Sequence, residues 1–262
     1  MKGLWSGVLV AFSLYSAIPV PQVKWERNTM RWALVCLPLV GVVIGAIEWL
    51  WYWFCATRRA AALFYAVIAA LIPLLISGGI HLDGLCDTCD ALCSYGEREK
   101  KLQILKDPHV GAFGVIWLTA FLLAETACFA QIYEAPAPLP LIYFGFAAAR
   151  ALGGRKIVTL PCARDSGLAH IFAENSDKKI VSRLLLIENV CLFILCAVVC
   201  PKKYIWSLIV AAGLLYGWSR FHSRLCRKAF GGITGDLAGF FISTSELLFL
   251  LCAAICGLVF VS

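Results

Sequence analysis

Long apolar runs broken by short charged segments dominate the chain. Runs of roughly 20 mostly apolar residues, the length a helix needs to cross the hydrocarbon core of a bilayer, recur at 4–19, 33–56, 60–80, 111–131, 138–157, 184–200, 203–219 and 238–261. Within such runs no water is at hand for exposed backbone groups, so helix is the expected conformation. The pattern predicts an all-α, polytopic integral membrane helical bundle with about seven or eight transmembrane segments. The first and the shortest runs are alternatives for re-entrant or interfacial segments. No polar stretch is long enough to build a second core, so residues 1–262 are expected to form a single integral membrane domain.

Composition narrows the class. At 61% hydrophobic against 15% charged residues, a water-soluble enzyme is excluded. The net charge of +7 lacks the basic stripe with interleaved aromatics that nucleic acid would require, so no nucleic-acid partner is expected. The basic residues instead sort by side. All Lys and Arg except Lys2, Arg58, Arg59, Lys202 and Lys203 fall within 20–32, 81–110, 150–183 and 220–236. The positive-inside rule assigns those loops to the cytoplasm, although the Arg58–Arg59 and Lys202–Lys203 pairs run against it. The 13 cysteines are scattered through apolar stretches and read mostly as small buried hydrophobes.

The unusual chemistry lies where the third run ends, in Ser77–Asp90. Asp83, Asp87 and Asp90 are spaced i, i+4, i+7, which places all three on one stripe of a helix. Like charges so close repel unless a cation sits among them. Oxygen ligands without paired histidines favour Mg²⁺ or Mn²⁺, which take phosphate oxygens as remaining ligands. The plainer alternative is a solvated acidic turn at a helix start. His81 is either structural or catalytic, and would neighbour a metal only if the chain were still extended at Gly78–Gly79. Cys86, Cys89 and Cys93 share a flank but lack a fourth ligand for a thiolate site.

Further along, Lys106 and Asp107 either pair with each other or clamp phosphate and complete a metal shell. Gly231-Gly232-Ile233-Thr234-Gly235-Asp236 is a glycine-rich turn that delivers an Asp at a helix N-terminus, where backbone amides can approach an anion. Arg150, Arg155 and Arg164 are phosphate forks or positive-inside anchors. Glu48, Glu125, Glu188 and Glu246 lie within apolar runs and need partners or a polar cavity. Glu246 falls on nearly the same helical face as Asp236.

Gly78–Leu92, GGIHLDGLCDTCDAL, resembles the GGxHLDGLxDTxDGL signature of the cobalamin synthase (adenosylcobinamide-GDP ribazoletransferase) family. The likeness continues through Ile18–Pro21, Pro38–Gly41 and Gly45, 102–114 (LQILKDPHVGAFG), Arg150, Ala163–Leu168 and 231–239 (GGITGDLAG). Cys86, Cys89, Ala91 and Ser243 depart from the pattern. The resemblance implies an Mg²⁺-dependent enzyme of the cytoplasmic (inner) membrane with its active site facing the cytoplasm. A hydroxyl of α-ribazole, or of its 5′-phosphate, attacks the phosphorus attached to cobinamide in adenosylcobinamide-GDP, and GMP leaves. On this reading Asp83, Asp87, Asp90, Asp107 and Asp236 hold one or two divalent ions. Lys106, Arg150 and Arg164 steady the phosphates, with Gly232, Thr234, Gly235 and Glu246 also facing substrate. Asp90 or His81 is the base. Two rival readings are a CDP-alcohol phosphotransferase, whose DGxxAR element is absent, and a cation-coupled transporter, which would carry its acids near the middle of spans.

Overall fold

The computed structural model describes residues 2–21, 30, 32–135 and 138–260. Most of the basic segment expected at 20–32, with Pro136 and Ala137, lies outside the described residues. Among those described, eleven α-helices form: α1 (Lys2–Tyr15), α2 (Ala33–Arg58), α3 (Ala62–Ser77), α4 (Ile80–Cys93), α5 (Arg98–Ile104), α6 (Ala112–Glu134), α7 (Leu139–Thr159), α8 (Leu168–Asn175), α9 (Lys178–Val199), α10 (Ile205–Leu225) and α11 (Gly235–Phe260). A short π-helical turn, Cys226–Phe230, follows α10.

The bundle is organised around α7, which packs against α2, α8, α9 and α11. In a bilayer, apolar side chains gain little by leaving lipid for protein, so association rests on close van der Waals approach between small residues. α7 supplies these in Gly145, Ala147–Ala149, Ala151, Gly153 and Gly154. α2 answers with Gly41 and Gly45, four residues apart on one face. A Cβ on Gly41 would lie 2.6 Å from the Ala147 Cα, and one on Gly45 would lie 3.1 Å from the Tyr143 carbonyl carbon. Large apolar side chains that find no protein partner point outward, among them Ile116, Trp117 and Leu123 of α6 and Ile187, Ile194 and Val198 of α9.

Among the described residues, four helices, α2, α6, α9 and α11, are long and apolar enough to cross a membrane, and a fifth span results if α3 and α4 count as one. The pattern of apolar runs predicts seven or eight, and the difference has physical causes. α1 is only 14 residues long, α7 carries Arg150, Arg155 and Lys156 in its second half, and the apolar run of α10 gives way to Ser219, Arg220 and His222. The run at 60–80 is also not one straight helix. Gly78 and Gly79 have φ of 64° and 80°, a left-handed backbone that glycine adopts without a Cβ penalty, and α3 and α4 meet there at 96°. The chain leaving α1 braces this corner, with Ala17 N–H donating to the Ile76 carbonyl at 2.8 Å.

Gly41→Leu is expected to destabilise the protein by about 2 kcal/mol or more through overpacking against α7. Gly213→Ala, in helical backbone with open space around an added Cβ, should stabilise it by about 0.5–1 kcal/mol. Thermal unfolding in detergent checks both.

Candidate active site

The site begins with the contact between α4 and α11. Gly84 of α4 lies directly against Asp236, so that a Cβ there would meet the Asp236 carbonyl oxygen at 2.6 Å and its Cα at 3.0 Å. Gly239, nearly one turn further along α11, approaches the His81 backbone, with a Cβ position 3.2 Å from the His81 Cα. These two glycines bring the helices close enough to place the acidic stripe of α4 beside the first turn of α11. Asp83 is exposed, whereas Asp87 and Asp236 are half-buried, and Asp87 lies in the field of Asp83, Asp236 and Arg164.

Two loops complete the arrangement. The segment after α7 pairs with the segment before α11 through a parallel bridge between Cys162 and Ile233. The Ile233 amide donates to the Pro161 carbonyl at 2.8 Å, and the Ala163 amide to the Ile233 carbonyl at 3.0 Å. Gly232 permits the pairing, because its Cβ position is 2.7 Å from the Ala163 nitrogen. The bridge sets Arg164 next to Asp236, with Nη2 3.5 Å from Oδ2. Thr234 caps α11: its hydroxyl accepts from the Leu237 amide and donates to Asp236 Oδ2, both at 3.2 Å.

Between these elements lies a cavity of about 190 Å³, lined by His81, Asp83, Arg164, Thr234, Gly235 and Asp236. The first residues of α8, Leu168–His170, and of α11 both border it, so two helix N-termini, the ends where backbone amides lack intrahelical partners, meet at one volume. Arg164 Nε and Nη2 are buried and lack a hydrogen-bond partner, as do both ring nitrogens of His81. Buried donors of this kind mark a place where an acceptor is missing. Among the described residues, no three His, Cys, Asp or Glu side chains close into a ready-made ligand cage.

The family model described as cobalamin-5-phosphate synthase matches residues 7–254. The chain belongs to the cobalamin-5-phosphate synthase family. A protein of Lachnoclostridium phytofermentans named adenosylcobinamide-GDP ribazoletransferase is 35% identical over 250 residues, covering 95% of this chain and 91% of the relative. Relatives of the same name from a Geobacillus species and from Clostridium botulinum are 31% and 28% identical, covering 94% and 97% of this chain and 94% and 99% of their own lengths. No solved structure matches. As a cobalamin synthase family member, the chain is a transferase serving nucleotide-loop assembly in cobalamin biosynthesis.

Several residues that the sequence groups with this family site stand elsewhere. Asp90 shares the stripe with Asp83 and Asp87, but its carboxylate turns to the N-terminus of α6. One oxygen accepts from the Gly111 amide at 2.8 Å and the other from the Gly114 amide at 2.9 Å. Lys106 and Asp107 are exposed and do not line the cavity. Asp107 Oδ1 accepts from the His109 amide at 3.0 Å and contacts its Nδ1 at 2.8 Å, contacts that hold its carboxyl below the usual aspartate range. Arg150 lies deeper, 1% exposed, where it pairs with Glu246 and donates to the Phe146 carbonyl at 2.9 Å. A second, very small cavity of about 10 Å³ separates that pair from His81 and Glu125.

Other participants carry no signal in the acidic motif. His170 and Ser166 line the site cavity, and the Tyr15 ring stacks parallel to His81 with centroids 6.5 Å apart. The Arg98 guanidinium packs over Gly231. The Ser166–Gly167 pair just ahead of α8 is a turn signal that marks this edge of the cavity.

Asp90→Ala is expected to cost about 1–2 kcal/mol of stability through loss of the α6 cap. Asp83→Ala should change stability by less than about 0.5 kcal/mol. Denaturation of the two purified variants in the same detergent distinguishes a capping carboxylate from a free one.

Proposed function

We propose that this chain joins adenosylcobinamide-GDP to α-ribazole or its 5′-phosphate, forming adenosylcobalamin or its 5′-phosphate and releasing GMP. A ribose hydroxyl of the acceptor attacks the phosphorus attached to cobinamide. The bond from that phosphorus to the GMP oxygen breaks, and the hydroxyl proton passes to a base. One observation carries the reading. Two carboxylates, Asp83 and Asp236, an arginine with an unpartnered buried Nε and two helix N-termini border a single cavity, with Asp87 close enough to Asp83 and Asp236 to feel their charge, an arrangement suited to a diphosphate accompanied by a cation.

The donor chemistry fits a hard divalent ion, Mg²⁺ or Mn²⁺, which Asp83, Asp87 and Asp236 would hold with oxygen ligands alone. When bound, such an ion neutralises charge on the diphosphate and on departing GMP. Arg164 would donate its unpartnered Nε, and Nη2 beside Asp236, to phosphate oxygens, and the amides at the starts of α8 and α11 would orient the same group. Thr234 fixes the Asp236 rotamer through its hydroxyl. His81, which lines the cavity with both ring nitrogens lacking a hydrogen-bond partner, would receive the hydroxyl proton. Asp90 is a positioning residue on this reading, because both its oxygens are engaged by α6, and Lys106 and Asp107 fall outside the ligand set. Arg150 and Glu246 support the site from beneath without touching substrate.

The cavity faces the cytoplasm from the inner membrane in this proposal. Arg98 packs over Gly231, and Arg220, Arg224, Arg227 and Lys228 lie along the end of α10 and the turn that leads into the Gly231–Asp236 loop, as the positive-inside rule requires of a cytoplasmic face. Family membership lends no support to a CDP-alcohol phosphotransferase or a transporter.

The test is GMP release by detergent-solubilised protein given adenosylcobinamide-GDP, α-ribazole and Mg²⁺. Asp83→Asn, Asp236→Asn and Arg164→Met are each expected to lower kcat by about 10²-fold or more, with unfolding temperatures close to that of the parent. The Asp variants should also require more Mg²⁺. Full turnover of Asp83→Asn or Asp236→Asn at limiting Mg²⁺ would sink the ligand assignment.

A further inference from the structure

Among the described residues, another concavity is several times larger than the site cavity. It is a groove of about 930 Å³ between α7, α9 and α10. Its wall is apolar for most of its length, with Leu186, Val190, Phe193 and Ile194 from α9 facing Leu208, Ile209, Ala212 and Leu215 from α10. At one end the lining changes character: Arg155, Arg220, Arg224 and Arg227 border it together with the hydroxyls of Thr159, Ser219 and Ser223. No Asp or Glu lines the groove. Among the described residues none of these four arginines forms an ion pair. Arg155 reaches only the Ser182 hydroxyl, at 3.2 Å, and Arg220 lies over the Tyr216 ring, 5.9 Å from its centroid.

The polarity follows from one stripe of α10 and the π-helical turn that continues it. Positions 208, 209, 212, 215, 216, 219, 220, 223, 224 and 227 recur at helical spacing, apolar up to Tyr216 and polar or basic from Ser219 onward. From Leu208 to Tyr216 the helix rises roughly 12 Å, close to the roughly 15 Å of one leaflet's hydrocarbon. The change to arginine occurs where Lys156 of α7 donates to the Ser219 carbonyl, at 2.8 Å, the same end of the bundle as Arg164 and the Gly231–Asp236 loop. An apolar trough one leaflet long, ending in four unneutralised cations and three hydroxyls, is complementary to a diacyl lipid with a negatively charged phosphate headgroup.

We infer that the α7–α9–α10 groove is a binding site for an anionic phospholipid, with acyl chains along α9 and α10 and the headgroup phosphate among Arg155, Arg220, Arg224 and Arg227. The commitment to lipid rests on this charge complementarity together with the length of the apolar wall. A soluble phosphate ligand would have no use for the wall, and a zwitterionic lipid would leave the arginines without net compensation.

Native mass spectrometry of the full chain, delipidated in detergent and titrated with phosphatidylglycerol, phosphatidylcholine or inorganic phosphate, tests the site. Phosphatidylglycerol should remain bound at about one per chain, at least roughly tenfold more strongly than phosphatidylcholine, and inorganic phosphate should not be retained. Arg220→Gln with Arg224→Gln should abolish the preference between the lipids. Ala212→Trp, which fills the wall without touching a charge, should weaken retention of both lipids, and since neither variant alters the cavity, GMP release in detergent should persist. Equal retention of the two lipids by the parent would overturn the inference, as would unchanged retention in both variants, phosphate binding as strong as that of lipid, or a second copy of the chain filling the groove.

Discussion

The approach of α4 to α11 at Gly84 and Gly239 is the constraint from which the site follows. A helix carrying Asp83 and Asp87 and a helix beginning at Asp236 are packed so closely that a methyl group would not fit between Gly84 and the Asp236 backbone. Carboxylates brought together in this way, with Arg164 as the nearby countercharge, repel one another, and the repulsion grows as water is excluded. The acidic stripe and the first turn of α11 thereby share one concentrated negative field, which Arg164 offsets in part.

Beneath this polar layer the bundle holds a second one that serves cohesion. Arg150 and Glu246 form an ion pair with side chains 1% and 5% exposed. Such a pair contributes little net stability over an apolar equivalent, but removing one partner leaves the other stranded in a low dielectric. Its position matters more than its net energy. Arg150 is on α7, whose following loop carries Arg164, and Glu246 is on α11, whose first turn carries Asp236. The ion pair therefore joins the two helices that deliver the opposite charges of the cavity, and Asn189 of α9 adds a hydrogen bond to the Ala148 carbonyl at 3.1 Å.

Much of this was legible in the sequence, for reasons that also explain the rest. Apolar runs report helices faithfully, because hydrocarbon tolerates little else. They do not report which helix is surrounded by protein, since lipid and a neighbouring helix select the same side chains. The central place of α7 thus emerges only from the structure, although its glycines and alanines hint at it. Helical spacing correctly puts Asp83, Asp87 and Asp90 on one stripe, yet a stripe does not say what lies opposite each residue. Asp83 and Asp87 meet α11, whereas Asp90, one turn further on, meets the amides of Gly111 and Gly114. The Lys106–Asp107 segment belongs to a run that resembles the family, and its exposure shows that a shared motif need not mean proximity to the cavity. The break at Gly78–Gly79 falls within a run that the apolar pattern reads as one span, and only the structure shows the 96° corner and the Ala17 hydrogen bond across it.

The pairing of Cys162 with Ile233 has a bearing on how the protein is made. It unites a segment from the middle of the chain with one that emerges just before the last helix, and the acidic stripe it faces is threaded into the bilayer far earlier. No partial cavity stands ready while synthesis proceeds, because its floor, its cationic wall and its capped helix start come from three separate stages of translation. A chain synthesised only as far as α10 already holds the acidic stripe and Arg164 but lacks Ile233 and Asp236, so the bridge that seats this arginine beside its carboxylate forms last.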